Sequence, residues 1–86
     1  MKHEFLREDI RIKTLEILKD FTLNDDIYED STLSDIEVDD FMVTELILRL
    51  ESELDITINT DEIRSYSDFL DLTVNETVDK IFDLLY

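Results

Sequence analysis

The strongest hydrophobic pattern in the chain lies between residues 40 and 54, where apolar positions recur at helical spacing. With about 100° of rotation per residue, these positions form one stripe along a single α-helix. Asp39 and Asp40 come just before the stripe, and aspartate is favoured at helix starts. The pattern predicts a central amphipathic helix that begins near Asp39 or Asp40. Its apolar stripe consists of Val43, Leu46, Ile47, Leu50 and Leu54.

The N-terminal segment predicts a second amphipathic helix, over about residues 4 to 20. Phe5 and Ile12 fall on the polar side of this helix, and the sequence leaves open whether they form a dimer contact. The apolar face of the helix consists of Leu6, Ile10, Ile17 and Phe21, with Leu18 beside them.

The C-terminal segment predicts a third helix with a defined start. Thr73 and Glu76 have the spacing of a capping box, in which each side chain accepts a hydrogen bond from the other residue's backbone N–H. The apolar face that follows consists of Val74, Val78, Ile81, Phe82 and Leu85.

The connecting segments are polar. Residues 22–38 predict a long loop, because Asp, Asn, Ser and Thr favour turns and caps. A short helical turn is predicted after Thr60, whose side chain would cap it. The alternating residues 55–59 are too short to support a sheet. We therefore predict one all-α domain over residues 1–86, a small up-down bundle of three long helices plus one short helix. Its long loop would be anchored by Ile27, Leu33 and Ile36.

The net charge of −16 is unevenly distributed along the chain. Residues 1–19 hold five basic and four acidic residues, whereas residues 20–86 hold three basic and twenty acidic ones. Such an acidic body repels nucleic acid and anionic membranes and attracts basic proteins. Residues 1–13 are too charged for a signal peptide, and no apolar run reaches the length of a membrane span. We expect a soluble, cytoplasmic monomer with a basic protein partner, no nucleic acid and no membrane.

The residue types present exclude several kinds of chemistry. The chain has no cysteine, glycine or proline, so it has no thiolate, no disulfide and no glycine-rich phosphate loop. Its one histidine, His3, lies near the terminus. A calcium loop starting at Asp35 would need glycine where Asp40 stands and glutamate where Leu46 stands. The sequence predicts a protein that is not an enzyme and has no metal site.

Two segments of the chain are similar to a known family. Residues 30–58, DSTLSDIEVDDFMVTELILRLESELDITI, and residues 72–85, LTVNETVDKIFDLL, resemble the acyl carrier proteins, including the peptidyl carriers. The hallmark of that family is Asp-Ser-Leu at the start of the second helix, followed by a recurring Glu-Leu and Leu-Glu pattern. The matching positions here are Asp39, Phe41, Glu45-Leu46, Leu50-Glu51 and Ile58.

The departure from the family falls at its functional atom. In the resembled family the serine hydroxyl becomes the phosphodiester anchor of a 4′-phosphopantetheine arm, and Asp40 occupies that position here. Glu37 stands where the family usually has a glycine, and Met42 replaces an acid often found there. We expect the arm to be absent, so no cofactor is predicted. Instead, Asp40 at the cap or first turn would stabilise the helix by roughly 0.5 to 2 kcal/mol, and a cap is favoured.

Phe41 and Leu48 share a stripe roughly opposite the core stripe of the central helix. One interpretation is that the short helix after Thr60 and residues 66–72 cover them. The other follows from the resemblance, which implies that they contact a partner enzyme or assembly that recognises carrier proteins. The predicted partner-binding residues are Asp39, Asp40, Phe41, Glu45, Leu48 and Glu51.

Three functional hypotheses follow. The favoured one is a non-catalytic acyl-carrier-like protein that acts as an acidic protein–protein interaction module. The alternative is an acidic inhibitor of the immunity type, or a nucleic-acid mimic, that blocks a basic active site. The least favoured is a true carrier that is modified at another residue. The three hypotheses differ in which partner this protein binds and in whether it carries a phosphopantetheine arm.

Overall fold

The computed structural model describes the backbone of residues 2–85 and the side chains of residues 6–85. Three α-helices form the bundle: α1 (Lys2–Thr22), α2 (Asp40–Leu54) and α3 (Val74–Asp83). Over residues 2–85 there is no strand; two isolated bridges join Thr32 to Thr73 and Ile58 to Leu85. The predicted all-α bundle is confirmed. Three short 3-10 turns lie between the helices, at Leu33–Ile36, Thr60–Glu62 and Tyr66–Phe69.

The first helix is longer than its apolar pattern predicted. α1 ends after Thr22, where Leu23 takes a left-handed backbone conformation with φ 54°. Glycine usually fills such a position, and the chain has none. The Leu23 side chain is 90% exposed, so this residue ends the helix without joining the core. His3 and Phe5 lie outside the described side chains, and Ile12 is on the outer surface.

The core lies where all three helices and the connecting segments meet. Most predicted apolar positions are buried, although Leu6, Phe21, Leu54, Phe82 and Leu85 are only partly buried at its edge. The helices contribute buried side chains that include Ile10, Ile17, Leu46, Leu50, Val78 and Ile81. The connecting segments contribute Ile27, Leu33, Val38, Ile58 and Phe69.

The C-terminal capping box is confirmed. Thr73 Oγ1 accepts a hydrogen bond from Glu76 N at 3.1 Å, and Glu76 Oε1 accepts one from Thr73 N at 2.9 Å. The predicted cap by Thr60 is wrong, because the turn begins at Thr60 itself and no side chain caps it. Backbone groups hold this turn instead: Glu62 N donates to Asn59 O at 3.2 Å.

The long loop is anchored to the segment that precedes α3. Leu33 N donates to Leu72 O and Ser34 N to Leu70 O, each at 3.0 Å. Ile27 and Leu33 are buried as predicted, whereas Ile36 is only partly buried. These hydrogen bonds fix the position of the loop and therefore the position at which α2 begins.

Candidate functional site

The start of α2 is defined by Asp39, not by Asp40. Asp39 has an extended backbone, and its Oδ1 accepts a hydrogen bond from Met42 N at 2.9 Å, which makes it the N-cap. The cap favoured for Asp40 is therefore wrong, and Asp40 occupies the first helical position, in the first turn. Asp40 is exposed. Among the described side chains, those of residues 6–85, none forms a hydrogen bond or ion pair with its carboxylate.

Glu37 lies three residues before Asp40 and has a left-handed backbone, with φ 63° and ψ 32°. Its N–H donates to Ser34 O at 3.2 Å and closes the first 3-10 turn. A left-handed residue with a Cβ atom costs roughly 1 to 2 kcal/mol, and glycine avoids this cost. The geometry thus accounts for the glycine that the resemblance places at this position.

Replacement of Glu37 tests this backbone cost. Glu37→Gly should have a free energy of unfolding about 1 kcal/mol higher than Glu37→Ala, because both remove the carboxylate but only glycine relaxes the left-handed conformation. Urea denaturation followed by circular dichroism measures the difference. Equal stabilities of the two variants would show that the backbone at residue 37 is not strained.

Phe41 and Leu48 lie on the outer surface of α2. The Phe41 side chain is 69% exposed and that of Leu48 is 53% exposed. The segment 66–72 therefore flanks α2 without covering this stripe, and its Phe69 enters the core instead. The structure selects the exposed alternative, while the partner-binding role of both residues stays a prediction.

Phe41 separates two surface hollows. The smaller, about 180 Å³, is lined mainly by apolar side chains: Phe21, Phe41, Met42 and Glu45. The larger, about 420 Å³, is lined by Asp40, Phe41, Thr44, Ser65 and Tyr66. The sequence did not indicate that Phe21, Ser65 and Tyr66 border this surface, because each depends on how distant segments pack.

Glu45 and Glu51 have different surroundings, although both were assigned to the docking face. Glu45 is partly buried and lines the smaller hollow beside Phe41. Glu51 Oε2 accepts a hydrogen bond from Ile58 N at 3.0 Å and so supports the chain after α2. The structure brings Asp40, Phe41 and Glu45 to one surface and gives Glu51 a role within the fold.

Glu53 of α2 forms ion pairs with Arg49 in its own helix and with Lys13 in α1. Arg49 Nε donates to Glu53 Oε2 at 3.0 Å, and Lys13 Nζ lies 3.4 Å from Glu53 Oε1. The hydrogen bond from Arg49, with a smaller contribution from Lys13, lowers the pKa of Glu53. The same hydrogen bond, with a second one to Asp20, raises the pKa of Arg49. Glu53 therefore favours the fold above its unfolded-state pKa, and this contribution is lost as the pH falls through its folded pKa. The pair is exposed, so its effect on stability is small.

Among the side chains of residues 6–85, no three from His, Cys, Asp or Glu are grouped so that they could hold a metal ion. In the same part of the chain, none of the helices combines the length and apolar character needed to cross a membrane.

The described fold is a small three-helix bundle, and the predicted attachment position, Asp40, lies in the first turn of α2. A family model described as "Phosphopantetheine attachment site" matches residues 13–80. This match covers most of the 86 residues, and the chain belongs to that family. Comparison with curated proteins and with solved structures gave no match. The predicted resemblance to acyl carrier proteins is thus confirmed at the level of the family.

Proposed function

We propose that this member of the phosphopantetheine-attachment family carries no arm at residue 40 and acts as a non-catalytic acidic docking module. The observation that carries the proposal is the exposed start of α2, where the Asp40 carboxylate stands beside an uncovered Phe41. Because Asp40 has no hydroxyl, it cannot carry the phosphopantetheine arm. The exposed Phe41 still provides an apolar surface that a partner protein can bind.

The absence of an arm follows from the chemistry of Asp40. Attachment needs a hydroxyl that attacks the pyrophosphate of coenzyme A and leaves a stable phosphodiester. A carboxylate would give an acyl phosphate, which water cleaves readily. The nearby Ser34 belongs to the loop, and Ser52 lies far along α2, so neither is at the helix start.

The docking role rests on exposed apolar area surrounded by acids. Burying a phenylalanine or leucine side chain contributes roughly 1.5 to 3 kcal/mol, which Phe41 and Leu48 gain only against a partner. Asp39 and Asp40 are exposed beside Phe41, and Glu45 lies a turn further along. A partner with an apolar pocket and basic residues around it complements this surface. The large negative charge of the protein would also speed encounter with such a partner.

Site-specific photo-cross-linking tests the docking surface. Benzoylphenylalanine is introduced in the native host at Phe41, at Leu48 or, as a control, at Tyr28, which is an aromatic residue with 61% exposure outside this surface. We expect one protein with a basic surface to cross-link from positions 41 and 48 but not from position 28. The purified partner should then bind Phe41→Ala at least about 10-fold more weakly than the wild type.

Three outcomes of the cross-linking would contradict the proposed docking function. Cross-linking from position 28 that equals that from 41 and 48 contradicts a defined docking surface, as does a lack of cross-linking from 41 and 48. Capture of a nuclease or a DNA-binding protein through its nucleic-acid site would replace this proposal with the inhibitor or mimic hypothesis.

A further inference from the structure

The larger hollow beside Phe41 joins two elements that are distant in sequence. One side is the first turn of α2, and the other is the start of the 3-10 turn Tyr66–Phe69. The hollow measures about 420 Å³ and is open to solvent. We call it the Asp40 groove. It is lined by Asp40, Phe41, Thr44, Ser65 and Tyr66.

The Asp40 groove offers hydrogen-bond acceptors, among them the Asp40 carboxylate and the Thr44 hydroxyl. The Asp40 carboxylate has no side-chain partner within the described residues, so its oxygens are available to a donor. Thr44 Oγ1 donates its proton to Asp40 O at 3.1 Å, which leaves the hydroxyl oxygen as an acceptor. Ser65 Oγ is 2.6 Å from Ser67 Oγ, and one of these hydroxyls donates to the other.

Aromatic residues supply the rest of the groove. Phe41 is largely exposed, and Tyr66 is partly buried. A site that combines a free carboxylate with aromatic rings suits a planar cation that carries several N–H donors. Arginine has these properties, because its guanidinium binds carboxylates through two N–H groups and stacks on rings. Lysine offers a compact ammonium with no planar face.

The helix dipole does not prevent cation binding here. A helix N-terminus carries a partial charge of about +0.5, whereas Asp39 and Asp40 each carry a full negative charge. Asp39 already satisfies Met42 N. The net local charge is therefore negative, and the Asp40 carboxylate remains for an incoming group.

We propose that the Asp40 groove binds an arginine side chain, with Asp40 as the counter-ion and Phe41 and Tyr66 beside the guanidinium. This inference rests on the proposed docking function for the source of the arginine, which is a residue of the partner protein. Asp40 is then a specificity residue of the docking surface, at the position where the family attaches its phosphopantetheine arm.

A small-molecule probe tests the groove without the partner. N-acetyl-arginine amide is titrated into the ¹⁵N-labelled full chain, and N-acetyl-lysine amide serves as the matched cation. We expect the arginine probe to shift the amide signals of residues 40, 41, 44, 65 and 66, and to bind at least about 3-fold more tightly than the lysine probe.

Three variants show which side chains are responsible for binding. Asp40→Asn should weaken the arginine probe at least about 5-fold, whereas Asp9→Asn, which removes the same charge from the exposed surface of α1, should change it less than about 2-fold. Tyr66→Leu should reduce the preference for arginine over lysine. The spectrum of each variant without probe confirms that the fold is intact.

Three results would each contradict arginine binding in the Asp40 groove. These are equal binding of the two probes, signal shifts spread over the acidic surface, and equal losses of affinity in Asp40→Asn and Asp9→Asn. The proposed docking function is tested independently of the arginine site. Partner cross-linking from position 41 with no groove-specific arginine binding would remove only the arginine site. Groove-specific arginine binding without any cross-linked partner would leave the site and remove the docking function.

Discussion

Phe69→Ala is expected to lower the free energy of unfolding by about 3 to 5 kcal/mol, whereas Phe41→Ala should change it by less than about 1 kcal/mol. The two substitutions delete the same atoms. Phe69 is fully buried, and Lys80 Nζ lies 4.7 Å from the centroid of its ring. Phe41 is 69% exposed. Because the same atoms are removed, the difference between the unfolding free energies of the two variants reports how deeply each phenylalanine is buried.

Urea denaturation followed by circular dichroism gives both values. A small domain has a total stability of about 5 to 15 kcal/mol, so Phe69→Ala should have a much lower midpoint or be partly unfolded in water. If Phe41→Ala costs as much as Phe69→Ala, the outer stripe of α2 belongs to the core and the docking surface is lost. If both variants are stable, residues 66–69 do not pack as the structure shows.

The helices could be predicted because each repeats an apolar position over several turns. In the predicted α2 stripe, Leu54 is only partly buried, whereas Val43, Leu46, Ile47 and Leu50 are buried. The capping box at Thr73 forms as its spacing predicts. Both signals are local, since they depend only on residues within one helix. The charge distribution likewise predicted a negative surface from composition alone.

The turns Leu33–Ile36 and Tyr66–Phe69 could not be predicted in the same way, although a turn after Thr60 was predicted and is present. A four-residue turn is too short to show a period, and Phe69 stands beside the polar Ser67 and Asp68. The turn at Thr60 was assigned a side-chain cap, but backbone hydrogen bonds suffice to hold it. Such turns depend on their contacts with distant segments.

The candidate site shows the same limit. Asp39 and Asp40 both suit a helix start, and only the backbone conformation decides that Asp39 is the cap. The exposure of Phe41 depends on where the segment with Tyr66 packs, which no local pattern records. The family resemblance placed Asp40 at the attachment position, but the groove beside it is visible only in the structure.

Asp40→Ser should convert the protein from one that accepts no phosphopantetheine into one that accepts a single arm. Wild type incubated with coenzyme A and a broad-specificity phosphopantetheinyl transferase should gain no mass, because the hydroxyl nucleophile is missing. The variant should gain roughly 340 Da, the mass of one arm. Intact-protein mass spectrometry measures both. The fold should survive the change, since the cap is Asp39 and serine is tolerated in the first turn.

The neighbours of Asp40 decide what a negative result means. If Asp40→Ser stays unmodified, Glu37 and Met42 are two further differences from the family near the helix start. Glu37→Gly removes a side chain and a charge from the exposed turn before α2, and Met42→Asp restores an acid often found in the family. Modification of the triple variant would show that these side chains block the transferase.

The triple variant has a matched control that keeps Asp40 while changing Glu37 and Met42. This control should gain no mass, because a transferase that docks still finds no hydroxyl at the helix start. A triple variant that remains unmodified would contradict the placement of Asp40 at the attachment position. Modification of the wild type would refute the proposed loss of the arm, and peptide mapping would then identify which serine carries it. A mass gain that depends on residue 40 alone would show that one substitution separates this docking module from a carrier.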